Sequence, residues 1–181
     1  MGYAFDQVFE AEYGPLRGYL YRRLRSSAAD DLAAETFAVA YRRWGDLDPS
    51  RAVRPWLYGI SANLLRHHWR KERRMLRAVA RSGTDLVLEH DGDSDIERAD
   101  ALAQRRILAA ALAELRPVDR DVLLLHAWAD LSDAEVAEAL SLPIGTVKSR
   151  LHRARQQLQN RLVASGQSEA RVLTATTEEN R

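Results

Sequence analysis

The chain has 181 residues, of which 46% are hydrophobic, with 27 Lys and Arg against 26 Asp and Glu and no cysteine. This length allows one or two small domains with packed cores, and the composition argues against general disorder. The lack of cysteine excludes disulfides and thiolate chemistry and is typical of a reducing cytoplasm, the compartment we expect. We expect neither a signal peptide at the sequence MGYAFDQ nor a membrane-spanning segment.

Helical periodicity runs through nearly the whole chain without a convincing strand pattern, so the sequence predicts an all-α fold. In the N-terminal half we expect three helices, at residues 5–25, 30–44 and 55–75. Pro15 lies inside the first pattern and predicts a kink or a break, whereas Pro55 suits the first position of the third helix. The side chains expected to point inward from the second and third helices are Leu32, Phe37, Ala40, Tyr41, Trp56, Leu57, Ile60 and Leu64.

Charge is distributed unevenly along the chain, although the net charge is only +1. Residues 63–81 carry seven basic side chains and one acidic one, whereas residues 85–100 carry seven acidic and one basic. This asymmetry suggests different partners for different segments. Together with the turn-forming residues near 81–95 it predicts two small helical domains joined by an acidic flexible linker. The expected parts are an N-terminal domain at 1–78, the linker at 79–98, a C-terminal domain at 99–164 and a flexible tail at 165–181.

The C-terminal domain is predicted to end in a helix-turn-helix. Ser132 followed by Glu135 is the pattern of a capping box and predicts that the first helix starts directly after Ser132. Pro143 and Gly145 discourage one continuous helix through the turn. Ser141 occupies a position where such units often have Gly, so we expect a slightly different turn without loss of the motif.

The second helix of this unit, predicted over residues 146–162, has an apolar stripe and an opposite basic face. The stripe consists of Val147, Leu151, Ala154, Leu158 and Leu162. A helix with these two faces suits entry into a major groove. We expect base-edge contacts from Ser149, His152 and Arg153, and phosphate contacts from Lys148, Arg150 and Arg155. An amphipathic hairpin with a solvated basic face is the alternative; the agreement of cap, turn and stripe favours DNA binding.

Three blocks of sequence stand out. They are DDLAAETFAVAYRRW at residues 30–44, PWLYGISANLLRHHWR at 55–70, and DRDVLLLHAWADLSDAEVAEALSLPIGTVKSRLHRAR at 119–155. In this order and spacing they resemble bacterial sigma factors of the extracytoplasmic-function (ECF) group, over about residues 5–163. The third block is shared in outline with other helix-turn-helix regulators, whereas the first two are far more specific. The resemblance implies a dissociable RNA polymerase subunit that confers promoter specificity and helps to open the DNA.

The resemblance also implies how the protein contacts core polymerase. The helix at 30–44 would dock on the clamp of the large β′ subunit, and the flap of the β subunit is a second expected partner surface. The residues that match the family's docking motif are Asp31, Glu35, Thr36 and Arg42. Without the resemblance, a solvated face of a bundle helix would be the better interpretation of these residues. An anti-sigma factor is a further candidate partner.

The second block would bind the upstream half of the melted promoter element. Basic side chains attract phosphates and aromatic faces can stack on unpaired bases, while the amide of Asn63 can contact the edge of an extruded base. In the family the matching Asn lies beside the pocket for a flipped base, and the loop at 47–54 would form the other wall. The single-strand candidates are Asn63, Arg66, Arg70, Lys71, Arg73 and Arg74. The helix-turn-helix would contact the upstream promoter element as duplex.

Other interpretations are weaker or stay open. A stand-alone dimeric repressor or activator would have no need of the first two blocks. We expect no enzyme, because the sequence has no catalytic order of residues and no phosphate-binding glycine loop. No cofactor or metal is expected, since the adjacent His67 and His68 do not share a helix face, and His126 is expected to be a satisfied core histidine. The acidic linker would either thread through the RNA exit path or act as a solubilising spacer.

Overall fold

The computed structural model describes residues 4–24, 26–48, 50–82 and 107–164, with the side chains of 72, 73 and 75–82 excluded. All regular structure in these ranges is helical, as predicted. The predicted tail at 165–181 and residues 83–98 of the predicted linker lie outside the described residues. The helices are α1 (Phe5–Leu24), α2 (Ala28–Arg42), α3 (Val53–Ser82), α4 (residues 107–114), α5 (Pro117–Trp128), α6 (Asp133–Leu140) and α7 (Ile144–Ala164), with a 3₁₀ turn at Trp44–Asp46.

The chain forms two compact units that do not follow simple chain order. Of the described residues, the first unit contains 4–24, 26–48, 50–82 and 125–144, and the second contains 107–124 and 145–164. The first unit therefore includes α6 together with α1, α2 and α3, while α4 and nearly all of α7 belong to the second. The domain boundaries expected from the sequence stay a prediction.

The first unit is built on three helices that bury one apolar face each. The large side chains with almost no exposed surface are Leu16, Tyr19 and Leu20 of α1, Leu32 and Phe37 of α2, and Leu57, Tyr58 and Leu65 of α3. The rings of Tyr19 and Tyr58 meet edge to face with centroids 5.4 Å apart. Burying each such side chain contributes about 1.5–3 kcal/mol, so these contacts fix how the three helices pack. On α3, Leu65 is buried where the sequence predicted Leu64.

α1 continues through Pro15 without interruption, so the predicted alternative of a break is wrong. Proline removes one backbone donor and crowds the preceding turn. Val8 before it and Leu16, the residue directly after it, are both buried. Both halves of the helix are therefore held in the same core, which compensates for the lost hydrogen bond.

α3 begins at Val53, two residues before the predicted start, and extends to Ser82 instead of ending near Met75. Pro55 consequently lies inside the first turn, where backbone N–H groups have no acceptor within the helix. α2 ends at Arg42, and Tyr41, which the sequence predicted to be buried, is 68% exposed.

α6 packs against α3 within the first unit. Gly59 of α3 is so close to Ala139 of α6 that a Cβ atom at Gly59 would lie 2.6 Å from the Ala139 carbonyl oxygen. Arg54 strengthens the contact, because its Nη2 donates a hydrogen bond of 2.9 Å to the Ala129 carbonyl oxygen. Arg51 Nε lies 3.7 Å from Glu138 Oε1 nearby. The missing side chain of Gly59 therefore permits a close approach of two helix backbones.

The predicted capping box at the start of α6 is confirmed. Ser132 Oγ accepts a hydrogen bond of 3.3 Å from the Glu135 backbone N–H, and the Ser132 N–H donates one of 2.8 Å to Glu135 Oε2. At the other end, Ser141 has φ 53° and ψ 47°, and the Leu142 N–H donates to the Ala137 carbonyl oxygen at 2.9 Å. The expectation of a different turn is wrong, because Ser141 adopts the left-handed conformation that glycine usually occupies.

The second unit contains α4, the N-terminal part of α5, and α7 from residue 145 onwards. Its buried side chains include Leu112 and Leu115, the α5 residues Val122 and Leu124, and the α7 residues Val147, Leu151, Ala154 and Leu162. The apolar stripe of α7 is therefore confirmed, with Leu158 partly exposed. None of the helices in the described ranges combines the length and apolar character needed to span a lipid bilayer.

Candidate functional site

One row of polar and cationic side chains runs along α3. Asn63, Arg66, Arg70 and Arg74 follow each other at spacings of three, four and four, so they share one face of the helix. Arg66 Nη2 donates to Asn63 Oδ1. Arg70 Nε and Arg74 Nε each lie 3.3 Å from the backbone carbonyl four residues earlier. The side chains thus lean along the helix towards its N-terminus and form a continuous cationic surface, which we call the α3 row.

The α3 row has the chemistry of a surface that follows a nucleic acid backbone. Asn63, Arg70 and Arg74 are exposed, and each guanidinium keeps further donors that can reach phosphate oxygens. Lys71 is also exposed, whereas the side chain of Arg73 lies outside the described residues. The structure therefore brings Asn63, Arg66, Arg70 and Arg74 together on one face.

Aromatic side chains near the row are only partly accessible. Trp69 is half-buried and its ring meets the His68 ring nearly edge to face, with centroids 5.7 Å apart. Trp56 is also half-buried, and its ring centroid lies 6.1 Å from that of Trp44. Trp56 therefore belongs largely to the packed interior, as the sequence suggested, and Trp69 exposes only part of its ring.

The loop before α3 is ordered by a local turn. Asp48 Oδ1 accepts hydrogen bonds of 2.9 Å from the Ser50 backbone N–H and 2.7 Å from the Ser50 hydroxyl, which lower the pKa of Asp48. Ser50, Arg51 and Ala52 line a shallow crevice whose other side is formed by α6 and the following turn. The loop thus lies beside the helix-turn-helix turn within the first unit. A base pocket between this loop and Asn63 stays a prediction.

The exposed face of α2 carries three of the four residues expected to bind polymerase. Asp31, Glu35 and Arg42 are exposed at spacings of four and seven, which places them on one side of the helix. Thr36 has no exposed surface, and its hydroxyl donates to the Leu32 carbonyl oxygen at 2.7 Å. Thr36 therefore packs inside the unit, and the surface offered to a partner consists of the other three.

Tyr41 places an exposed aromatic ring beside this face, although the sequence did not mark it as a site residue. It directly precedes Arg42, and its ring meets the Phe5 ring edge to face with centroids 5.1 Å apart. Tyrosine is enriched at protein interfaces and among the residues that contribute most to binding. The helical period placed Tyr41 at the margin of the apolar face, and its position near the helix end was the available signal that it could be exposed.

On α7 the basic face is accessible as expected. Lys148, Ser149, His152, Arg153 and Arg155 are all exposed. The Ser149 hydroxyl donates to the Thr146 carbonyl oxygen at 3.0 Å, which fixes the side chain close to the helix. Its oxygen can still accept a hydrogen bond.

Arg150 differs from its neighbours on α7. Its Nη1 lies 2.6 Å from Oδ1 of Asp119, whose side chain is only 1% exposed. The guanidinium is partly covered by this contact, so its main partner in the structure is a buried carboxylate. A phosphate contact from Arg150 stays a prediction.

His126 lies near the end of α5, within reach of Asp133 on α6. Its side chain is 34% exposed and its Nε2 lies 3.7 Å from Asp133 Oδ1, so the prediction of a core histidine is wrong. The helical period placed it next to buried leucines, but the ring extends towards the surface. Within the described residues, no group of three or more His, Cys, Asp or Glu is arranged to hold a metal ion.

Comparisons with known proteins show which family the chain is similar to. Residues 8–75 match the sigma-70 region 2 family and residues 105–158 match the sigma-70 region 4 family. The RNA polymerase sigma-E factor of Streptomyces coelicolor is 33% identical over 136 residues, which cover 75% of this chain and 72% of that protein. The ECF sigma factor SigW of Bacillus subtilis is 28% identical over 172 residues, covering 88% and 89%.

Solved structures show the same fold. The structure of CnrH with the cytosolic domain of CnrY has a TM-score of 0.65 and 25% identity, covering 88% of each chain. The sigma factor RpoE bound to the anti-sigma factor NepR from Bartonella quintana has a TM-score of 0.63 and 25% identity, covering 87% of this chain and 96% of that one.

The chain therefore belongs to the RNA polymerase sigma factors, within the extracytoplasmic-function group. It is a transcription regulator that directs RNA polymerase to specific promoters. The alternative of a stand-alone dimeric regulator has no support, because the match to region 2 includes most of each of the three N-terminal helices.

Proposed function

We propose that three helices of this sigma factor each bind a different partner. α2 docks on core polymerase, the α3 row holds the melted promoter strand, and α7 contacts the upstream promoter element as duplex. The observation that carries the proposal is the α3 row, a continuous line of arginine side chains that starts at the exposed amide of Asn63. Such a surface suits a single strand, because phosphates are attracted to the cations while an extruded base meets the amide.

Docking on polymerase is assigned to the exposed face of α2. Asp31 and Glu35 supply negative charge near the helix N-terminus, and Arg42 supplies positive charge at its end. This separation of charge gives the contact a defined orientation, since opposite ends of the face need opposite partners. The clamp of the β′ subunit is the proposed partner of this face, and the flap of the β subunit is the proposed partner of the C-terminal domain.

Duplex recognition is assigned to the exposed face of α7. Ser149, His152 and Arg153 lie on one side of the helix, where His152 and Arg153 have donors for base edges and the Ser149 oxygen can accept, while Lys148 and Arg155 flank them as phosphate contacts. Arg153 is the strongest candidate for a specific base, because its planar guanidinium can donate two parallel hydrogen bonds.

We also propose that the protein acts in the cytoplasm. It is proposed not to be an enzyme, because opening of the DNA uses binding energy. An anti-sigma factor is a proposed regulator, supported by the two structural relatives whose structures are complexes with CnrY and NepR. For the acidic segment between the two domains, the RNA exit path and a simple spacer remain competing proposals.

The test is transcription in vitro with purified full-length protein and core polymerase. We expect promoter-specific transcripts without any other sigma factor. Replacing Arg70 and Arg74 together with Ala should lower open-complex formation several-fold while leaving polymerase binding intact. Arg22→Ala, which removes an exposed arginine from α1, is the matched control. Binding to duplex DNA as a dimer, with no transcription from any promoter in a genomic template, would contradict the proposal.

A further inference from the structure

A buried carboxylate lies at the start of α5. Asp119 is in the first turn of the helix, where the helix dipole favours negative charge. Its side chain is only 1% exposed. A charged group at such a position needs cationic partners, because burial removes its hydration.

Two arginines of α7 share this carboxylate unequally. Arg150 Nη1 lies 2.6 Å from Oδ1, the distance of a charge-assisted hydrogen bond. Arg153 Nη1 lies 3.8 Å from Oδ2, which is too long for a hydrogen bond but close enough for attraction. Within the described part of the chain, neither Asp119 Oδ2 nor Arg150 Nε has a hydrogen-bond partner, although both atoms are buried.

The two arginines are therefore in different situations. Arg150 has 27% of its side chain exposed and cannot leave Asp119 without stranding a buried charge. Arg153 is 47% exposed, so its guanidinium is attracted towards Oδ2 while part of it faces solvent. Because the two residues are three apart, they are neighbours on the same helix face. Asp119 thus holds Arg150 through a hydrogen-bonded ion pair and attracts the guanidinium of Arg153 without a hydrogen bond.

We propose that Asp119 is a positioning residue that determines how α7 recognises DNA. Its ion pair with Arg150 holds α7 against α5, and its attraction for Arg153 orients that guanidinium towards a base edge. The base that fits an oriented arginine is guanine, whose O6 and N7 accept two parallel hydrogen bonds in the major groove. This inference rests on the proposed role of α7 in duplex recognition. Asp119 itself touches no DNA.

A purely structural role for Asp119 predicts a different result. If the carboxylate only stabilises the fold, its loss lowers binding to all promoter sequences equally. If it positions Arg153, its loss reduces the preference for one base at one position and leaves other positions unchanged. The base preference at each position is therefore the informative measurement.

The experiment uses holoenzyme made from the full-length chain and core polymerase, and a pool of promoter duplexes randomised over the upstream element. Wild-type selection first defines the preferred base at each position. We expect Arg153→Ala to reduce the guanine preference at one position by about 5- to 100-fold. Asp119→Asn, which keeps an acceptor for Arg150 but removes the charge, should reduce the same preference at least about threefold.

Two further variants make the result interpretable. Glu114→Gln is the matched control, because Glu114 also pairs with an α7 residue, Arg161, at 2.6 Å, but both side chains are well exposed. It should leave every base preference unchanged. If Asp119→Asn does not fold, the double variant D119L/R150M replaces the buried pair with apolar side chains of similar size, a change that proteins often tolerate. It should show the same loss of guanine preference.

The outcomes separate the two proposals. A loss of guanine preference in Arg153→Ala with wild-type preference in both Asp119 variants would overturn the positioning role and leave the function of α7 intact. An equal loss of affinity for all sequences in the Asp119 variants would also overturn it. Unchanged preferences in Arg153→Ala would instead remove the base-contacting role of Arg153, and the positioning role with it.

Discussion

Gly59 of α3 and Ala139 of α6 are in backbone contact, so close that a Cβ at Gly59 would lie 2.6 Å from the Ala139 carbonyl oxygen. An atom at that distance from a backbone oxygen requires one of the two helices to move. The first helix of the helix-turn-helix is thus held by a position where even a methyl group does not fit.

Gly59→Ala should therefore destabilise the protein. A Gly to Ala change inside a helix ordinarily stabilises by about 0.5–1 kcal/mol, but here overpacking against the Ala139 backbone should produce a net loss of about 1–3 kcal/mol. Gly18→Ala on α1 is the matched control, because a Cβ there meets no described atom within 4 Å. Urea unfolding of both variants measures the difference. Equal stabilisation by both changes would show that α3 and α6 do not make this contact in solution.

Ser141→Gly should stabilise the protein. Ser141 holds φ 53°, and the left-handed conformation costs a residue with a Cβ about 1–2 kcal/mol. Glycine removes this cost and loses some of the gain through its more flexible unfolded state, which leaves a net gain of about 0.5–1 kcal/mol. Ser141→Val should lower the free energy of unfolding instead, because a β-branched residue is least compatible with this conformation. A gain in the valine variant would contradict the observed turn.

The capping box should make stability depend on pH in the acid range. Hydrogen bonds from the Ser132 hydroxyl and, secondarily, the Ser132 backbone N–H lower the pKa of Glu135 from its ordinary 4.5. A folded pKa below the unfolded one means that the stabilisation is fully present above the unfolded value and is lost as the pH falls through the folded value. Glu135→Gln keeps acceptor geometry without titrating. The difference in unfolding free energy between wild type and this variant should therefore shrink as the pH falls below 4.5.

The Ser132→Ala variant provides the control for that titration. It should cost about 1 kcal/mol at neutral pH, as loss of an N-cap usually does. In the Ser132→Ala background, the effect of the Glu135→Gln change on the free energy of unfolding should vary less with pH, because the hydroxyl that lowers the pKa of Glu135 is gone. If the effect of Glu135→Gln depends on pH equally in both backgrounds, a partner of Glu135 other than the Ser132 hydroxyl causes the pH dependence.

Tyr41→Ala should weaken binding to core polymerase by about 10-fold or more if the docking surface extends from the exposed face of α2 to this neighbouring ring, because truncating a tyrosine hot spot often costs about 2 kcal/mol. Tyr21→Ala is the matched control: Tyr21 is 56% exposed and lies on α1, whereas Tyr41 is 68% exposed. Tyr41→Phe tests whether the ring or the hydroxyl matters. Fluorescence titration of labelled protein with core polymerase gives the dissociation constants. Equal effects of the two alanine variants would argue against this face.

The arginines of the α3 row should be visible in the salt dependence of DNA binding. Each phosphate contact on a single strand contributes about −0.7 to the slope of log K against log salt concentration. Arg70→Ala and Arg74→Ala in holoenzyme should each reduce the slope by about that amount on single-stranded promoter DNA. Arg22→Ala should leave it unchanged. Unchanged slopes in all three variants would place the strand elsewhere.

Local signals predicted local structure well. Ser132 and Glu135 are three residues apart and form their contacts within one turn, so sequence spacing was sufficient to find the capping box. The α7 stripe followed equally from helical periodicity. Periodicity was less reliable near the margins of a face, where it exchanged Leu64 for Leu65 and predicted burial for Tyr41.

Contacts between residues distant in sequence could not be predicted from the chain alone. Arg150 and Asp119 are 31 positions apart, and each has a common role of its own, as a phosphate contact and as a favourable charge at a helix start. Gly59 resembles any helical glycine until α6 is placed beside it. The residue types were evident in each case, but the pairing depends on the tertiary fold.

The packing of α6 on α3 lowers the apparent affinity of any other molecule that binds the two helix surfaces in contact. A protein that needs the Gly59 side of α3, or the side of α6 that covers it, competes with an intramolecular neighbour whose effective concentration is on the order of millimolar or above. Its apparent affinity is reduced by the free energy of the internal contact. A change at Gly59 that weakens the internal contact would therefore raise the apparent affinity of a molecule that binds the covered side of α6, although that molecule touches no altered residue.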